Sequence, residues 1–178
     1  MSRGRLWLKR IAVALAVLMV LAAAAIFAGD QMARRKMQRR VDVQLQPVAY
    51  REDAAAVERG RYLYTSRGCA ECHGAQGNGR MFLDDGKGMR IAGPNISPGP
   101  GSVVKGYTPI DWVRAIRHGV DPQGRPLMIM PSEDYNRLTD EDFAALVAYI
   151  RQLAPTNGSG PGLGLPLPVR AMDGFGLL

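Results

Sequence analysis

Residues 11–28 (IAVALAVLMVLAAAAIFA) form an unbroken apolar run, and nothing later in the 178-residue chain resembles it. As a helix rising ~1.5 Å per residue the run is about 27 Å long, close to what a bilayer crossing needs. Arg3, Arg5, Lys9 and Arg10 precede it, giving the charged-then-apolar order of an export signal. The run continues through Ile26 and Phe27, past the small residues Ala22–Ala25 where cleavage would fall. It is therefore read as retained: residues 1–29 as a signal-anchor transmembrane helix, and 30–53 as a basic juxtamembrane segment and linker.

Beyond the linker the apolar positions turn periodic. Asp53 is placed to cap a helix over roughly 54–67, with Val57, Gly60 and Tyr64 on one face and Gly68 as its stop. Thr108-Pro109-Ile110-Asp111 opens a second helix with proline at the first position and an acid closing the cap. Ile110, Val113 and Ile116 share its face, and Gly119 ends it. Thr139 and the acids 140–142 open a third, carrying Phe143, Leu146, Val147 and Ile150 at i, i+3, i+4, i+7 until Pro155. Residues 74–107 and 120–138 read as Gly/Pro-rich loops. No segment alternates as a strand should, so the fold class expected is all-α. The tail 155–178 is Gly/Pro/Leu-rich and expected to be poorly ordered.

Charge follows the same partition. The net +7 is concentrated in residues 1–53, with ten Lys/Arg against four Asp/Glu; residues 54–154 hold twelve against eleven. The basic balance belongs to the arm, which argues against nucleic acid as a partner, since that would want a basic face on the domain. The arm's Arg34, Arg35, Lys36, Arg39 and Arg40 would instead lie near anionic headgroups or continue the anchor as a solvated helix.

Both cysteines sit in one motif, Cys69-Ala-Glu-Cys72-His73. C-x-x-C-H is the attachment signature of c-type haem. Thiols at i and i+3 reach the two vinyl groups of one porphyrin edge, and the adjacent His73 presents its imidazole to the iron. A thioredoxin-like redox pair would need a βαβ context that is missing. A structural zinc site usually takes four ligands, and Cys69, Cys72, His73 and His118 are a poor set. A haem would also explain the long loop 74–107, which would then pack on the macrocycle rather than on itself.

From about 54 to 154 the chain resembles a class I c-type cytochrome. Gly60-x-x-x-Tyr64 followed by Cys-x-x-Cys-His is similar to that family's first helix, and Gly93-Pro94-Asn95-Ile96 to its segment on the proximal side. Met130-Pro131, then Leu138-Thr139-Asp140 and the helix containing Tyr149, resembles its distal loop and last helix. The resemblance implies several short helices wrapped around one covalent haem c. It also implies that Pro94 orients His73 through its carbonyl and that Met130 is the second iron ligand. Met128 and His118 are the rivals for that last role. Gly60 and Tyr64 would meet the last helix near Leu146 and Tyr149.

With both axial positions filled, such a site suits electron transfer rather than catalysis. The expectation is a non-enzymatic, single-pass carrier on a bacterial inner membrane, with its haem domain in the periplasm. Its partners would be the lipid bilayer and redox proteins: a quinol-oxidising complex, a dehydrogenase or a terminal oxidase. A cytochrome subunit fixed in a larger oxidoreductase is the alternative, and a gas-binding haem with a labile methionine the third.

Overall fold

A computed structural model describes residues 3–158 and 162–177. Residues 1–2, 159–161 and 178, which belong to the expected arm and tail, lie outside the described residues. The chain divides into two units: Met1–Gln38 with Leu165–Leu178, and Arg39–Gly164.

The first unit is two helices. α1 (Arg3–Gln38) contains the apolar run and continues without a break through the basic stretch 34–36. It is long and apolar enough to cross a membrane, with a mean hydropathy of 2.9 over its best window and none of that window covered by protein. α7 (Leu167–Gly174) opens on Pro166 and Pro168 and packs along α1 at Gly29, Asp30 and Ala33. The tail expected to be poorly ordered thus supplies a helix. Its eight residues gave too short a window for the periodicity to register against the Gly/Pro composition around them.

In the second unit the three long helices form where their caps and periodicity place them. α2 (Ala54–Ser66) begins with the Asp53 carboxylate accepting from the Ala56 N–H at 2.9 Å. α4 (Pro109–His118) begins with the Asp111 carboxylate accepting from the Thr108 N–H and hydroxyl at 3.0 and 2.6 Å. α6 (Asp140–Arg151) begins with Thr139 Oγ accepting from the Asp142 N–H at 3.1 Å. Two single turns stand between them, α3 (Cys69–His73) and α5 (Ser132–Tyr135).

α2 and α6 cross at Gly60. A Cβ there would collide with the Ala145 carbonyl, and glycine is what lets the backbones meet. One turn on, the Tyr64 and Tyr149 rings meet at a tilt of 54°, with 5.3 Å between centroids. Arg59 clasps Asp142 at the rim of the crossing, Nε and Nη2 donating to its two carboxylate oxygens at 2.8 and 3.0 Å. Leu63, Tyr64, Trp112, Phe143, Leu146 and Val147 form the buried centre.

One feature departs from the all-α expectation. The region 74–107 holds an antiparallel hairpin, β1 (Arg80–Asp84) and β2 (Arg90–Gly93), and β3 (Gly162–Gly164) adds to β2, giving the order β1-β2-β3. Every residue of β1 is exposed and a bulge interrupts its register between Met81 and Leu83. A strand with no buried face carries no alternation, so the pattern that would have announced it is missing. The linker also does more than connect. Leu45, Val48 and Tyr50 pack against the core, and the Tyr50 hydroxyl donates to the Tyr107 carbonyl at 3.1 Å.

A histidine turn bedded on a glycine-rich cradle

α3 is a single turn whose length is set by glycines at both ends. Gly68 and Gly74 take positive φ of 78° and 80°, which side-chain-bearing residues rarely adopt. Cys69, Cys72 and His73 are each half-buried, and neither thiol is in a disulfide. Burial pushes the Cys69 thiol up to about 11 and raises that of Cys72.

The chain then folds back under this turn. The Gly79 N–H donates to the His73 carbonyl at 2.8 Å, and the Ile96 and Ser97 N–H groups donate to the Gly77 carbonyl at 2.6 and 3.0 Å. A Cβ on Gly93 would collide with the Cys72 backbone. Gly93 therefore lets the segment that follows lie directly against the turn.

That approach delivers Pro94. Its carbonyl stands 2.9 Å from His73 Nδ1. A carbonyl only accepts, so Nδ1 carries a proton, and in the neutral ring Nε2 keeps its lone pair. Nε2 has no hydrogen-bond partner among the described residues. Burial lowers the imidazole's pKa, against the opposing pull of the Pro94 carbonyl, which favours the neutral ring a metal needs.

Three residues that the pattern of the sequence did not single out for the site hold this arrangement. Asn95 is 0% exposed and fully committed. Its Nδ2 donates to the Pro100 and Thr156 carbonyls at 2.9 and 3.0 Å, and its Oδ1 accepts from the Ser97 N–H and hydroxyl, both at 2.8 Å. The Tyr64 hydroxyl donates to the Gly74 carbonyl at 2.7 Å, closing the end of α3. The Tyr135 hydroxyl donates to the Arg67 carbonyl at 3.0 Å, tying α5 to the turn's entrance. Tyr64 had a reading only at the helix crossing; the other two gave no local signal.

The remaining expected residues sort by what they touch. Met130 packs on the core cluster, as do Cys69 and Ala70. Met128 and Met130 both line an open cleft of about 510 Å³ that also takes in Arg117 and Ile129, but Met128 is not among the side chains packed on the cluster. His118 is exposed at the end of α4, on the rim of the same cleft.

The family described as cytochrome c oxidase, cbb3-type, subunit III matches residues 55–150, from the start of α2 to the end of α6. The chain belongs to the class I c-type cytochromes. This cytochrome is 34% identical over 129 residues to the fructose dehydrogenase cytochrome subunit of Gluconobacter japonicus, covering 68% of this chain and 26% of that protein. It is 33% identical over 124 residues to the gluconate 2-dehydrogenase cytochrome c subunit of Pantoea cypripedii (65% and 27%). It is 32% identical over 108 residues to a diheme cytochrome c-type of Cereibacter sphaeroides (56% and 36%). The cytochrome thus spans about a quarter to a third of the length of these relatives.

Membership implies haem c with its iron. The residues fit that group: two thiols a turn apart for covalent attachment, and a neutral imidazole with Nδ1 engaged and Nε2 free. Bound there, a haem supplies one-electron redox change at iron. With the group held there, the Pro94 carbonyl would fix the imidazole's tautomer and angle, on a turn kept close to its bed by Gly74, Gly93 and Asn95.

Proposed function

We propose that this cytochrome is a membrane-anchored carrier of single electrons, with one haem c attached at Cys69 and Cys72 and His73 and Met130 as axial ligands. The observation that carries the reading is the pairing of His73 Nδ1 with the Pro94 carbonyl. It leaves one nitrogen for iron in a family of haem proteins, on a turn built for rigidity rather than for admitting substrate. Met130 is preferred over Met128 because it shares the core cluster with Cys69, and over His118 because that ring is exposed. A thioether in the sixth position leaves no open site and raises the potential, which suits electron transfer without catalysis. The apolar part of α1 would span the inner membrane once, with the haem domain in the periplasm, where this attachment chemistry takes place.

The names of the relatives favour one kind of donor. Two are cytochrome subunits of dehydrogenases, so the proposed role is to take electrons from a membrane-bound dehydrogenase and pass them to the respiratory chain. A cytochrome fixed within such a complex is the second reading, favoured by those same names, and stable co-purification with a dehydrogenase would distinguish it from an independent carrier.

Optical spectra of the oxidised and reduced protein beside Met130→Ala test the site. The wild type should show covalent haem and a methionine–iron charge-transfer band in the oxidised form, and the variant should lose the band and bind carbon monoxide when reduced. A band that persists in Met130→Ala would reject Met130, and absence of covalent haem would reject the whole reading.

A further inference from the structure

The two-helix unit is built inside out. α7 turns mostly polar and small residues inward: Ala171 is buried, and Val169, Arg170, Asp173 and Gly174 are half-buried. Pro168, Met172 and Phe175, at i, i+4 and i+7, are exposed, as are Leu167 and Leu177 beside them. α1 does the same. Its apolar run is exposed throughout, and only Gly29, Asp30 and Ala33 are buried.

Polar groups knit the two together. Asp30, 5% exposed, takes Arg34 at 2.9 Å from its own helix and Arg170 at 2.7 Å from α7. Lys36 meets Asp173 at 2.6 Å. A Cβ on Gly174 would collide with the Gly29 carbonyl, so the backbones touch. In water a short helix hides its large apolar side chains and shows its charges. The reverse arrangement, with charges paired inside and small residues at the contact, suits a surround of lipid.

We propose that α7 is an interfacial membrane helix, clamped to the base of the anchor by Asp30–Arg170, with Met172, Phe175 and Leu177 seated in the boundary between headgroups and acyl chains. The occupant is lipid because the exposed face of α7 begins where the apolar run ends. Gly29, which α7 covers, directly follows residue 28, and Phe27 and Met32 on either side are exposed as well. The basic residues 34–36 continue on the headgroup side. This inference rests on the reading that α1 spans the bilayer.

The test uses the full chain, with haem, in phosphatidylcholine and phosphatidylglycerol vesicles. Met172→Trp is the main probe and Leu177→Trp the second, each accepted as folded if its haem spectrum matches the parent, whose emission from Trp7 and Trp112 is subtracted. The introduced indole should emit to the blue. It should be quenched by lipids brominated on the acyl chains, more strongly when the bromines lie near the headgroup, and be shielded from aqueous iodide. Such an indole lies about 5–10 Å into the boundary. Iodide quenching without bromolipid quenching, in a chain that alkaline carbonate does not extract, would overturn the helix placement and leave the anchor standing. Extraction by carbonate would overturn the anchor and this inference with it.

Discussion

Asn95 stands next to the one carbonyl that orients His73, and every polar atom of its side chain is used without any exposure to water. Asn95→Ala removes the hydrogen bonds to the carbonyls of exposed Pro100 and half-buried Thr156, and takes one acceptor from the buried Ser97 N–H and hydroxyl. At about 0.5–1.5 kcal/mol for each hydrogen bond lost, the expected loss is about 3 kcal/mol, read from the urea midpoint at unchanged slope. The Pro94 carbonyl should loosen with it, so the haem's reduction potential should shift in the same variant; a stability loss with an unmoved potential would separate Asn95 from the site. None of this was legible locally. An asparagine after proline in a Gly/Pro-rich stretch reads as a turn former, and its partner Thr156 is 61 residues away. The cysteines and His73 were legible because their chemistry needs contiguous spacing. Pro94 and Met130 were picked out only through resemblance, and Tyr135 through neither.

Buried tyrosines set a second expectation at this scale. Burial raises the hydroxyls of Tyr64, Tyr107 and Tyr135 above their ordinary value, that of Tyr107 to about 12. The folded state holds these protons longer than the unfolded state, where tyrosine ionises near pH ~10. Their contribution is therefore complete below about pH 10 and lost as pH rises through the folded values. Far-UV circular dichroism should show alkaline unfolding that starts above about pH 10. Tyr107→Phe should make that loss less steep, since phenylalanine has no proton to release.

Among the elements, the crossing of α2 on α6 is the most extensive contact of the second unit, and Gly60 sets its distance. Gly60→Ala improves helix propensity by about 1 kcal/mol yet drives a methyl into the Ala145 carbonyl. Overpacking against backbone costs about 3 kcal/mol, so the variant should be less stable by about 2 kcal/mol in chemical denaturation. A gain in stability would mean the helices can part without loss. Periodicity put Gly60 and Tyr64 on one face and the caps fixed where both helices begin, but that the two helices meet there was readable only through the resemblance. The sheet was not. β1 has no buried face to impose alternation, and β3 is a Gly-Leu-Gly triplet whose partner strand lies some seventy positions earlier. Short exposed strands are specified by backbone pairing, to which the hydrophobic pattern is blind.

For the whole molecule, the proposed function assigns redox chemistry and membrane attachment to different units of the chain. Cys69, Cys72, His73, Pro94 and Met130 all lie within Arg39–Gly164, and both α1 and α7 lie outside it. A chain reduced to 39–164 should therefore be water-soluble and keep the haem spectrum and potential of the full protein. Ending it at 154, where the last long helix stops, should not work as well. That cut removes Thr156, whose carbonyl receives Asn95 Nδ2 and whose N–H donates to Ser97 Oγ, and β3 with it. The 39–154 form should unfold at lower urea than 39–164. Function should respond to a different loss. Anchoring two redox proteins in one membrane makes their encounter nearly intramolecular, with effective concentrations that reach about the millimolar range for short tethers. Substrate oxidation by membranes lacking the native cytochrome should be restored by the full chain at stoichiometric levels. The 39–164 form should restore it only in proportion to its concentration, with an unchanged rate at saturation. If instead the soluble form fails at any concentration, the anchor and α7 contribute to the docking itself, and the chain is a fixed subunit rather than a carrier.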